Sequence, residues 1–270
     1  VPGSGNAVVI GAGPAGIEAA FTLAAKGYDV TVYEKSDRIG GSINLADKAP
    51  GKFRMDILLD YWKRQLEKND KITVKLSTEI TDEKLAEIKR TLDPKVVCLN
   101  VGGKPVVPNM PGLENAVTAH DVLSGRVSIE GKRVVIIGGG MTALETAEFM
   151  AERKNTIVLC EMMPQFAADT FIYRVVKTQL GLARQGVAMK PHTMVLGANA
   201  DGVMYKDLVT GLEGVLPAEV IVLSLGVRPD RALRAKLEGM FENVVVLGDS
   251  NRTGTLQNAT GETFHRLKRI

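Results

Sequence analysis

The feature that most constrains this chain is the stretch Ala7 to Glu34, AVVIGAGPAGIEAAFTLAAKGYDVTVYE. Ala7 to Ile10 is an apolar run of the length of a buried parallel strand. A GxGxxG loop of Gly11, Gly13 and Gly16 follows. Ile17, Ala20, Phe21 and Ala24 then recur at helical spacing, and Gly27 stops the helix. A second strand, Val30 to Tyr33, ends on Glu34. A strand–turn–helix–strand unit of this kind binds a dinucleotide. Gly11 permits the tight turn, Gly13 lets backbone approach a pyrophosphate, and Gly16 lets helix pack on strand. Pro14 and Ala15 open the helix, whose free N–H groups and dipole favour an anion. Glu34 stands where an acid accepts hydrogen bonds from ribose hydroxyls.

The pattern then restarts. Lys132 to Ile137 reads as a strand, and Gly138, Gly140 and Ala143 form a GxGxxA loop that includes Met141 and Thr142. Leu144 to Arg153 reads as a helix, and Thr156 to Cys160 as a strand ending on Glu161. First glycine and acid are 23 residues apart in both copies (Gly11 to Glu34; Gly138 to Glu161). Each copy later runs a buried strand into Gly-x-x-Pro: Gly102 to Pro105, and Gly226 to Pro229. An internal repeat of this kind predicts an α/β chain with two Rossmann-like dinucleotide-binding domains.

Between these landmarks, Ile57 to Lys68 and Thr81 to Thr91 read as helices, with Thr81 as a cap. Thr73 to Leu76 and Val96 to Leu99 read as strands, and the proline-rich run Pro105 to Pro111 as a linker. Phe171 to Arg184 reads as a helix. Val187 to Met189, Met194 to Leu196 and Val203 to Val209 read as a short antiparallel meander. Val220 to Leu225 returns to a sheet, a polar helix lies beyond Pro229, and Asn243 to Leu247 is a strand ending in Gly248-Asp249. Thr255 to Ile270 is mostly helical.

The 34 basic and 31 acidic residues are spread along the chain, which argues against a nucleic-acid footprint. No apolar run nears the roughly 20 residues a membrane helix needs. No signal peptide is expected, and VPGSGN reads as a linker-like start. Cys98 and Cys160 lie in strand-like apolar runs and read as buried reduced thiols, which with the rest suggests the cytoplasm. Being 62 positions apart (98 to 160), they form neither a CxxC pair nor a cluster-binding set. His120, His192 and His265 are scattered. No catalytic side chain and no metal ligand set is assigned.

GAGPAG with Glu34 and Gly40-Gly41, the Gly-x-x-Pro strands, GGGMTALETAE and the late VVVLGDS resemble the two-dinucleotide flavoprotein fold. GGSINLADKAPGK, AHDVLSG and LETAEFMAER sharpen this to a resemblance to the FAD/NAD-binding C-terminal module of the NADH:flavin oxidoreductases. That family includes 2,4-dienoyl-CoA reductase, 2-enoate reductase and trimethylamine dehydrogenase. The resemblance implies a discontinuous FAD domain, residues 1–116 and 228–270, with an NAD(H) domain, residues 117–227, inserted in it. It assigns FAD contacts to Gly11, Gly13, Pro14, Ala15, Gly16, Glu34, Lys35, Gly40, Gly41, Ser42, Ile80, Gly102, Gly248, Asp249 and Leu256. Arg38 either faces a phosphate or is solvated. It assigns NADH contacts to Gly138, Gly140, Met141, Thr142, Ala143, Glu145, Glu161 and Gly226. Where the family shows Ala-Thr-Gly, this chain has Asn100-Val101-Gly102. The resemblance further implies a partner: an N-terminal barrel domain of the same polypeptide carrying FMN and a [4Fe-4S] cluster. The expected role is electron input, from NADH through FAD to that barrel, for reduction of an activated C=C bond. A free-standing NADH:acceptor reductase and a nucleotide-binding domain without hydride transfer are the alternatives.

Overall fold

In the computed structural model, residues 3–48, 50, 52 and 54–270 are described; the head of the linker-like start, Val1-Pro2, lies outside them. In chain order the first elements are β1 (Asn6–Ile10), α1 (Pro14–Lys26), β2 (Asp29–Tyr33), α2 (Ile43–Ala46), α3 (Met55–Glu67), β3 (Ile72–Lys75), α4 (Asp82–Thr91), β4 (Val96–Leu99) and β5 (Gly103–Pro105). Then come β6 (Val117–Thr118), α5 (Ala119–Leu123), β7 (Arg133–Ile137), α6 (Met141–Ala151), β8 (Thr156–Cys160), α7 (Ile172–Arg184), β9 (Ala188–Lys190), β10 (Thr193–Asn199), β11 (Gly202–Asp207), β12 (Glu213–Leu216) and β13 (Val220–Leu223). The chain ends with β14 (Val227–Pro229), α8 (Arg231–Met240), β15 (Val244–Val246), a 3-10 turn (Gly248–Ser250) and α9 (Leu256–Leu267).

The chain divides into two compact units: Val1–Asn44, Arg54–Lys104 and Val227–Ile270 in one, Leu45–Phe53 and Pro105–Gly226 in the other. The first is built on a parallel sheet in the order β15-β4-β1-β2-β3. A parallel sheet is covered on both faces, so its strands are apolar throughout rather than alternating. In β4, Val96 and Cys98 pack on one face with residues of α1, α3 and α9, while Val97 and Leu99 pack on the other with Leu85 and Ile88 of α4 and Leu237 of α8. Thr81 caps α4, its hydroxyl accepting from the Lys84 N–H at 3.3 Å.

The second unit repeats the plan, with the parallel order β6-β13-β7-β8-β9. Val134 and Ile136 of β7 face the helical side, with Leu144, Met150 and Leu182. Val135 and Ile137 face the antiparallel sheet β10-β11-β12 through Val195, Val203 and Leu216.

The structure corrects three readings. Val187–Met189 does not join the meander: β9 pairs parallel with β8 as the edge of the main sheet, and the meander's third strand is β12. A three-residue strand has no periodicity to reveal its neighbour, and the glycine in EGVL hides β12. Secondly, α6 begins at Met141, not Leu144, because Gly140 is already in the extended cap conformation at φ −66° and ψ 172°. Lastly, α5 was not foreseen, although Thr118 and Asp121 form the reciprocal capping box that starts it.

Asn155 ties the loop before β7 and the end of α6 to its own turn in the second unit. Its Nδ2 donates to the carbonyls of Ile129 (2.9 Å) and Met150 (2.8 Å), and its Oδ1 accepts from the Lys132 N–H (2.9 Å). At about 1 kcal/mol net per bond, Asn155→Ala is expected to lower unfolding free energy by about 2–4 kcal/mol, read as a shift of the urea midpoint. A shift within error would show these bonds to be replaced by water.

Candidate nucleotide-binding loops

Each unit places a glycine loop at the carboxyl end of a central parallel strand, β1 in one and β7 in the other. In the first, Gly11 has φ +98°, and a Cβ there would sit 2.5 Å from the Asn100 carbonyl oxygen. A Cβ at Gly16 would lie 1.9 Å from the Gly11 carbonyl oxygen. Any side chain at either position therefore pushes helix from strand. No side chain caps α1, and Pro14 occupies its first turn. Its leading N–H groups stay free for an anion.

The Gly40-Gly41 turn closes over this loop: the Gly40 N–H donates to the Ala12 carbonyl at 2.8 Å. Gly41 has φ +52°, and a Cβ there would meet the Gly13 Cα at 3.0 Å. Gly248, at φ +54°, brings the 3-10 turn against α1, where a Cβ would meet Ala15 Cβ at 2.8 Å. Asp249 thus stands beside the first loop. Its Oδ1 accepts from the Gly254 N–H at 3.1 Å, and burial pushes its carboxyl above the usual carboxylate range. Gly102, at φ +75°, accepts from the Ser250 hydroxyl at 3.1 Å through its carbonyl. Thr255 and Asn258 cap α9 reciprocally, which leaves the N–H groups of Leu256 and Gln257 outside the box.

Glu34 is buried, and its carboxylate is engaged by the protein. Oε2 accepts from the Ala12 N–H (2.8 Å), and Oε1 from the Ser36 N–H (2.9 Å) and hydroxyl (2.7 Å). It braces the glycine loop and retains about one of some four acceptor positions. The Arg38 guanidinium forks onto Asp37 at 2.8 and 2.9 Å, both side chains being exposed. Lys35 and Ser42 are exposed as well, and Ile80 packs against the β4–α4 core.

The second loop has matching geometry. Gly138 has φ +109°, and its Cβ would lie 2.3 Å from the Ser224 carbonyl oxygen. The Gly138 N–H donates to Cys160 as that of Gly11 does to Tyr33, at 2.9 and 2.7 Å. Gly140 caps α6 without a side-chain partner, and nothing lies within 4 Å of where its Cβ would be. Thr142 is exposed, Met141 half-buried and Ala143 buried. A Cβ at Gly139 would collide with the Glu161 side chain at 2.6 Å, so loop and acid touch here too. Glu161 Oε1 accepts from the Met163 N–H at 2.8 Å. Gly226 is at φ +80° with open space around it.

Glu145 has surroundings that sequence reasoning missed. It is buried on α6, and its Oε1 takes both Arg174 Nη2 and Lys52 Nζ at 2.6 Å. Residues 93 and 29 positions away (145 − 52; 174 − 145) leave no local pattern to find them by. The two thiols are buried on β4 and β8, and burial pushes both up to about 12, so neither is a thiolate at neutral pH. Among the described residues no helix is long and apolar enough to cross a membrane.

Two loops of one design, each crossing a neighbouring strand at the same place, match a known profile over residues 5–257. The chain belongs to the pyridine nucleotide-disulphide oxidoreductase family. It is an oxidoreductase module whose fold binds FAD and NAD(H), as the resemblance implied. It is similar to an NADH oxidase of Thermoanaerobacter brockii (32% identity; 95% of this chain, 40% of the relative). It is also similar to a metal reductase of Desulforamulus reducens (28%; 97% and 43%). Among solved structures, a 2-naphthoyl-CoA reductase in complex with 2-naphthoyl-CoA superposes with TM-score 0.90 at 29% identity, over 99% of this chain and 40% of that one. The chain thus spans about 40% of the length of these relatives.

A carboxyl raised by burial binds its proton more tightly in the folded state. Its contribution to stability is greatest at low pH and falls as pH rises through the raised value. Asp249→Asn keeps the acceptor for Gly254 and removes the ionisation. The variant is expected to melt higher than the parent at neutral pH, with the gap closing toward about pH 4, measured by thermal denaturation across pH. A gap that persists undiminished in acid would contradict this origin.

Proposed function

We propose that this chain is the electron-input module of a larger flavin oxidoreductase. The observation that carries the reading is the pair of equivalent glycine loops, each with its own acid, in a chain about 40% as long as its relatives. The first loop takes FAD. Gly11, Gly13, Ala15 and Gly16 let its pyrophosphate reach the uncapped α1 N-terminus, Gly40 and Gly41 close over it, and Asp249 holds the ribityl chain. The second takes NADH. Gly138, Gly140 and Thr142 face the pyrophosphate, and Glu161 accepts the ribose 2′-hydroxyl. The bound cofactors supply hydride and flavin redox chemistry, and the protein's part is position and electrostatics. Electrons then leave for an FMN and [4Fe-4S] barrel domain of the same polypeptide, which reduces an activated C=C bond. The 2-naphthoyl-CoA reductase likeness supports that last step. The T. brockii relative's name favours a second reading, a free-standing NADH:acceptor reductase.

A 2′-phosphate at Glu161 would meet a carboxylate, and Met162-Met163 bring no cation to receive it. Even in water such a like-charge contact costs about 1 kcal/mol. Glu161→Ala with Met162→Arg is therefore expected to move the NADPH/NADH preference by roughly tenfold or more, compared as kcat/KM. Equal use of both cofactors by the parent chain would contradict the assignment.

The two readings and their failure are separated by acceptor. Loaded with FAD, the chain alone is expected to bleach with NADH anaerobically and to reduce ferricyanide or a quinone dye, which need only access to reduced flavin. It is expected not to reduce cinnamate-like or enoyl-CoA substrates. Substantial enoate turnover by these 270 residues would overturn the electron-input reading, and protein that takes up no flavin would overturn both.

A further inference from the structure

The first loop holds a polar group that nothing in the fold satisfies. Asn100 follows β4 and is 6% exposed. Its backbone N–H donates to the Ile10 carbonyl at 2.8 Å, and its carbonyl is the atom that Gly11 closely approaches. Its side chain is the opposite case. Both Oδ1 and Nδ2 are buried without a hydrogen-bond partner. Leaving a buried donor and acceptor unmade is costly, so such a group calls for a partner outside the protein.

The position says which partner. Side chains alternate along a strand. Val96 and Cys98 belong to the α1 side of the sheet, Val97 and Leu99 to the α4 side. Continuing the alternation puts Asn100 on the α1 side, at the carboxyl end of the sheet, beside Gly11. That edge is where a dinucleotide crosses a sheet of this kind. Two residues on, the Gly102 carbonyl accepts from the Ser250 hydroxyl at 3.1 Å. In the second unit the equivalent crossing position is Ser224, which carries no carboxamide.

We propose that Asn100 is a FAD-binding residue, its carboxamide bridging the dinucleotide's phosphate and ribityl portions. The inference rests on the first loop being the FAD site. The chemistry matches: Nδ2–H donates to a phosphate oxygen, and Oδ1 accepts from a ribityl hydroxyl, the two complementary groups of one ligand. Having no protein partner, the amide loses none when it turns toward the ligand. Alanine would offer neither bond, and aspartate would set a like charge against the phosphate.

The test is titration of FAD into apoprotein, followed by quenching of flavin fluorescence, with melting temperature of the apoprotein recorded in parallel. Asn100→Ala is expected to weaken FAD binding roughly 10- to 100-fold, the range for a hydrogen bond to a charged group, without lowering the melting temperature of the apoprotein. Asn100→Asp, of the same size, is expected to weaken it further. Unchanged FAD affinity in Asn100→Ala, as for an amide met only by an internal water, overturns the proposal and leaves the functional reading standing. Apoprotein of the parent that binds no FAD overturns both. Should Asn100→Ala not fold, Asn100→Asp alone decides, because it preserves volume: affinity equal to the parent's overturns the proposal.

Discussion

The structure depends on a backbone crossing with no room for a side chain. In each unit the residue after β1 or β7 passes so near the carbonyl at the end of the adjacent parallel strand that a Cβ would fall 2.5 Å (Gly11, Asn100) or 2.3 Å (Gly138, Ser224) from an oxygen. The backbone there is left-handed, at φ +98° and +109°. Both conditions exclude every residue but glycine at little cost. The crossing turns the chain sharply enough for α1 or α6 to begin with its N-terminus at the sheet's carboxyl edge. The anion-binding end, the bracing acid and the parallel sheet all follow from that turn.

The two copies have diverged around the same crossing. In the first, Glu34 is absorbed into the loop by three protein donors. In the second, Glu161 is held at one oxygen by Met163. A carboxylate held at both oxygens by three protein donors is chiefly a brace, whereas one held at a single oxygen keeps more acceptor capacity for a ligand. Glu145 shows a third use of a buried acid. With two cations at 2.6 Å on one oxygen it is compensated within the protein, as burial of a charge requires.

The family's name includes disulphide chemistry, yet the two thiols here sit in strand interiors with their acidity suppressed. Desolvation without a nearby cation strong enough to offset it keeps a thiol protonated and unreactive. What the fold contributes is therefore the pair of nucleotide cradles rather than a reactive thiol pair.

The sequence by itself determined the parts whose physics is local. Positive-φ glycines, their 23-residue distance to an acid and the repeat of both are short-range constraints, and they located both loops and the strands around them. Thr81 as the cap of α4 was legible for the same reason. Tertiary structure decided what depends on distant partners. Whether Val187–Met189 extends a parallel sheet or a meander is set by which edge lies free, and β8 offered it. The grouping of Leu45–Phe53 with the second unit, and the meeting of Lys52 and Arg174 on Glu145, join residues with no shared periodicity. Asn100 reads in the sequence only as the end of a strand. Its isolation appears only in the fold, where the carboxamide is buried and no neighbour supplies a hydrogen bond.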